Sequence, residues 1–83
     1  MADNFRIKYQ FEGKEYSSGV NDVYRDKTIY YIYFPVELRA ADRLGPQFII
    51  VYLEAGDYKA KLGTPLSAIM FNAFLDYIDK QPI

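Results

Sequence analysis

The chain has 83 residues, 51% of them hydrophobic, and a net charge of −1 from 10 Lys and Arg against 11 Asp and Glu. It has no Cys, His or Trp but 9 Tyr and 6 Phe, which excludes a disulfide framework, a thiolate nucleophile, an imidazole base and a conventional zinc site. Ile, Leu, Val and Phe supply 24 of the 83 residues, well above the roughly 20% that marks disorder, so one folded domain is expected over 1–83.

The first segment alternates. Phe5, Ile7, Tyr9 and Phe11 point one way, and Arg6, Lys8, Gln10 and Glu12 point the other. Period-two alternation predicts a half-buried strand. Gly13 predicts a tight turn into a second strand around Glu15 to Val20. Ser17, Ser18 and Gly19 weaken that strand, and Asn21-Asp22 reads as a turn or bulge after which pairing can resume at Val23-Tyr24. Arg25-Asp26-Lys27 reads as a polar turn. Thr28 to Phe34 is all β-branched or aromatic, a strong strand that Pro35 ends.

Val36 to Leu44 carries helix formers between Pro35 and Gly45-Pro46. It reads as a short helix or helical turn over 36–44, or as a loop joining two strands. Phe48 to Leu53 is apolar at every position, the pattern of a central strand covered on both faces. Glu54 to Asp57 is a hairpin-type turn, and Tyr58 to Leu62 alternates again. Gly63, Thr64 and Pro65 then mark a helix start, with Thr64 as N-cap and Pro65 at the first helical position. The helix should run from Pro65 to about Asp79.

That helix is apolar over well over half its circumference. Leu66, Ile69, Ala73 and Tyr77 can form one seam against a sheet, which leaves Met70, Phe71, Phe74 and Ile78 as candidates for self-association. The expected architecture is therefore α+β. It is a mostly antiparallel, twisted sheet of four or five strands with the C-terminal helix packed on one face.

Both phases of the two central strands are apolar, so neither choice of facing leaves a polar outer surface. An aromatic sheet centre flanked by basic residues is the one constellation with chemical content. Arg6, Lys8, Tyr31, Tyr33, Lys59 and Lys61 are its candidates. Aromatic rings can stack unpaired bases while Lys and Arg track phosphates. The same residues can equally form a protein contact with charged, aggregation-resistant edges. The near-neutral charge marks neither a strongly basic nucleic-acid binder nor an acidic mimic.

Glu54 and Asp57, like Asp22 and Asp26, read as turn residues, because one hairpin supplies too few oxygens for a hard cation. No nucleophile–base pair, glycine-rich phosphate loop or nucleotide fingerprint occurs. The expectation is no enzyme, no metal and no cofactor. The longest apolar run, Phe48 to Leu53, is too short to span a bilayer, and Met1 to Gln10 has no apolar signal core, so a cytoplasmic location is expected.

The element order of several antiparallel strands followed by a C-terminal helix resembles that of small single-strand-binding dimers of the Whirly and Pur-alpha type. The resemblance lies in element order alone, and the helical insertion before Gly45-Pro46 departs from it. No motif residue carries over from it, and a shared element order does not give function. The residues themselves favour a non-enzymatic binding or assembly module that self-associates and engages a protein partner, with a single-stranded nucleic-acid binder as the alternative.

Overall fold

The computed structural model describes residues 4–35, 37 and 48–80. Five strands follow the chain in order, β1 (Asn4–Phe11), β2 (Lys14–Asp22), β3 (Ile29–Tyr33), β4 (Phe48–Glu54) and β5 (Asp57–Ala60), and helix α1 (Pro65–Asp79) closes the chain. Neighbours in sequence are neighbours in the sheet, and every pair is antiparallel. The result is an α+β fold, a curled five-stranded sheet with the helix on one face. The expected segment 36–44 lies, apart from Glu37, outside the described residues.

Two-residue turns set the outer registers. Phe11 pairs with Lys14, which leaves Glu12 and Gly13 at φ 52° and 79°. Glu54 pairs with Asp57, which leaves Ala55 and Gly56 at φ 53° and 87°. Two successive positive φ values give the twist that matches right-handed strands, and a glycine at the second position lowers the steric cost.

The second strand is longer than its composition indicates. It runs without a break through Asn21 and Asp22, and the chain turns at Val23–Thr28 instead. Asp22 is the reason. Its buried carboxylate accepts from Lys27 N at 3.2 Å, and its carbonyl accepts from Arg25 N at 3.3 Å. Asp26 closes the turn by accepting the Thr28 amide at 3.1 Å together with the Thr28 hydroxyl. Those bonds, the hydroxyl first, hold the Asp26 carboxyl below its ordinary range.

The helix-facing side of the sheet carries Phe5, Ile7 and Tyr9 from β1, Ser18 and Val20 from β2, Tyr30 and Ile32 from β3, Ile49 and Val51 from β4, and Tyr58 and Ala60 from β5. Leu62, the last residue of the alternating segment, lies past the end of β5 and is exposed.

Helix α1 starts where expected. Thr64 Oγ1 accepts from Ser67 N at 3.1 Å, and Ser67 Oγ accepts from Thr64 N at 3.1 Å, a reciprocal capping box. The helix inserts Ser67, Met70 and Phe74 into the core, and Met70 and Phe74 are both 0% exposed. The seam is thus rotated from the Leu66, Ile69, Ala73, Tyr77 line, whose members are only partly buried. The polar Ser67 tolerates the central position because its hydroxyl also donates to Thr64 O at 2.7 Å.

The rotation is driven by ring packing. Phe74 meets Tyr30 edge-to-face at 4.9 Å and Tyr58 at 5.3 Å, while Tyr77 stacks on Phe5 at 4.1 Å. Such contacts add to area burial by about 0.5–1.5 kcal/mol per pair.

Candidate functional site

The registers fix which phase of each central strand points away from the helix. Val20 pairs with Ile32 and Asp22 with Tyr30, so Tyr31 and Tyr33 take the opposite side. Tyr33 pairs with Phe48, Tyr31 with Ile50 and Ile29 with Tyr52, which puts Phe48, Ile50 and Tyr52 beside them. Tyr52 pairs with Lys59, and Arg6 and Lys8 occupy the same side of β1. The open face therefore brings together five of the six residues singled out in the sequence by strand phase. Lys61 follows β5, and it lines a hollow of about 400 Å³ with Phe48, Ile50, Tyr52 and Thr64.

This face is not covered as the all-apolar β4 sequence predicts. Ile50 is 48% exposed and Tyr52 41% exposed. Three rings interlock along its centre. Tyr31 stacks on Phe48 with centroids 4.4 Å apart, and Tyr33 meets Phe48 edge-to-face at 5.4 Å. They form a ridge between two flanking hollows.

The hollow on the β1 side is made by a missing side chain. Gly19 lies opposite Arg6 in the register. Arg6 leans across β2, donates from Nη2 to Ser17 Oγ at 2.9 Å, and sets Nη1 3.6 Å from where a Cβ on Gly19 would be. Arg6, Gly19, Asn21 and Tyr33 line a depression of about 280 Å³. Among the described residues, none of Arg6, Lys8, Lys59 and Lys61 is engaged in an ion pair.

Acidic groups of this side sit at its two ends, and Glu37 lines a hollow of about 600 Å³ with Arg6, Ser17, Gly19 and Tyr33. Glu15 pairs with Gln10 near the first hairpin, and Glu54 pairs with Asp57 at the last. The cations run diagonally between them. Among the described residues no three acidic groups converge on one point.

The helix candidates separate. Met70 and Phe74 are spent in the core of the chain itself, so they cannot meet another copy, while Phe71 and Ile78 stay partly exposed. Phe48, Ile50, Tyr52 and Gly19 were missed by sequence reasoning. The one signal that could have found the first three was the pairing of β3 with β4, since either phase of each strand alone looks alike. Among the described residues, no helix is long and apolar enough to cross a membrane. Comparison with protein-family models, with curated proteins and with solved structures gave no match.

Proposed function

We propose that the chain is a non-enzymatic binding module that meets a macromolecular partner with the open face of its sheet. The observation that carries this reading is the exposed Ile50–Tyr52 surface, held beside a ring ridge and four cations that form no ion pair among the described residues. A soluble domain gains nothing in stability from large apolar side chains left in water, and contiguous patches of them mark contact surfaces. Self-association through the helix loses support because Met70 and Phe74 are its central residues and both are buried.

The test removes apolar surface and keeps strand propensity. Ile50→Thr with Tyr52→Thr should leave stability within about 1 kcal/mol, because neither side chain is in the core. The same double variant should abolish fluorescence enhancement of an anionic hydrophobic dye, anilinonaphthalene sulfonate, by the folded protein. Unchanged dye binding would count against the reading. So would a loss of about 3 kcal/mol or more, the size of a core truncation, because it would make these side chains structural.

A further inference from the structure

We propose that the partner taken by this face is single-stranded nucleic acid, with one base seated in each of the two hollows beside the aromatic ridge. The inference rests on the binding-face reading above and names its occupant. Each hollow combines the two things that such a ligand requires. On the β1 side, Tyr33 supplies a ring wall, Gly19 a floor without a side chain, and Arg6 a guanidinium. On the β4 side, Tyr52 and Ile50 supply an exposed apolar shelf and Lys61 an ammonium. Lys59 extends the cationic line on β5, and Lys8 extends it on β1 at the sheet edge, where it also lines a hollow with Asp76 and Asp79 of helix α1.

Strand geometry sets the scale. Five strands spaced about 4.8 Å apart place β1 about 19 Å from β5, a span on which sheet-type binders stack two or three bases. A duplex hides its base faces and would leave the ridge with nothing to stack against. A second copy of the chain offers the centre of the face no complementary charge. With strands aligned, a two-fold mate sets β1 against β1 or against β5, so cations meet cations. Glu15, Glu54 and Asp57 lie at the ends of the face, off the diagonal that joins Arg6 to Lys61, and Glu37 is the one described acid that shares a hollow with Arg6, Gly19 and Tyr33.

The experiment is fluorescence anisotropy with a labelled mixed-sequence single-stranded DNA oligonucleotide, its duplex, and single-stranded RNA of the same sequence. Four cations engaging four phosphates give a log–log salt slope near −2.8, so affinity should fall about 50-fold between about 50 mM and 200 mM salt. Lys59→Glu with Lys61→Glu should halve that slope or more and weaken binding at least 10-fold. Gly19→Leu fills the β1-side hollow without changing charge, and it should weaken single-strand binding several-fold. Circular dichroism of each variant verifies that the fold is intact.

Failure of both single strands to bind at about 50 mM salt overturns the inference. So does equal or tighter binding of the duplex, or binding that ignores both Gly19→Leu and the charge reversal. If the oligonucleotides fail while the dye still requires Ile50 and Tyr52, the face stands and its partner is a protein. If the dye test fails too, the face reading falls with it.

Discussion

Among the described residues, Tyr9 and Ser18 form the one buried hydrogen bond between two side chains of different strands, O to O at 2.7 Å. Ser18 is 1% exposed and Tyr9 8%. Either hydroxyl left alone loses its partner without reaching water. A neutral hydrogen bond contributes only about 1 kcal/mol net, whereas a buried orphan costs about 1–3 kcal/mol, so the two single variants and the double variant should not add. Tyr9→Phe keeps the ring and strands the Ser18 hydroxyl, and we expect a loss of about 1–3 kcal/mol. Ser18→Ala strands the Tyr9 hydroxyl, which lies nearer the surface, and should cost somewhat less. The double variant removes both polar groups and should recover most of the loss, giving a coupling of about 1–2 kcal/mol. Urea unfolding followed by circular dichroism measures it. For a domain of this size each kcal/mol moves the thermal midpoint by about 4–8 °C, so the three variants are separable by melting as well. Strictly additive losses, or a Tyr9→Phe variant as stable as the parent, would refute the claim that this pair is sealed from solvent.

Two further outcomes follow from the same reasoning. Thr64→Ala removes the acceptor of Ser67 N and half of the reciprocal cap, and it should cost about 1 kcal/mol in unfolding free energy, with no change in the dye response of the open face. Burial raises the phenol pKa of Tyr9, partly offset by its bond to Ser18, and burial raises that of Tyr30 further. Both groups are thus neutral in the fold beyond the pH at which the unfolded phenol ionises. Their contribution is complete below about pH 10 and is lost as pH rises through the raised folded values. Thermal midpoints should drop steeply above about pH 10, and Tyr30→Phe should flatten that drop. An equal decline in both proteins would exclude Tyr30 as a cause.

Much of this fold is legible in the residues, and the limits have a physical pattern. The strict alternation of Phe5 to Phe11 admits one inward face, because only one phase is apolar. The Gly63-Thr64-Pro65 punctuation admits one helix start, because the cap and the imide ring act locally. The same locality misled at Asn21-Asp22. Turn residues by composition, they stay in the strand because the Asp22 carboxylate and carbonyl accept amides of the loop beyond it. The helix phase was likewise undetermined, since an almost all-apolar helix presents several equivalent stripes, and packing against Tyr30 and Tyr58 selected Phe74.

By itself the sequence determined the α+β class, the order of the described elements and the helix bounds, since each depends on neighbours along the chain. Only the tertiary structure decided which side of β3 and β4 meets water. Period-two strands with both phases apolar carry no preference of their own. The choice is made by registers inherited from β2, where Val20 must face the helix and so turns Tyr31, Tyr33, Phe48, Ile50 and Tyr52 outward together.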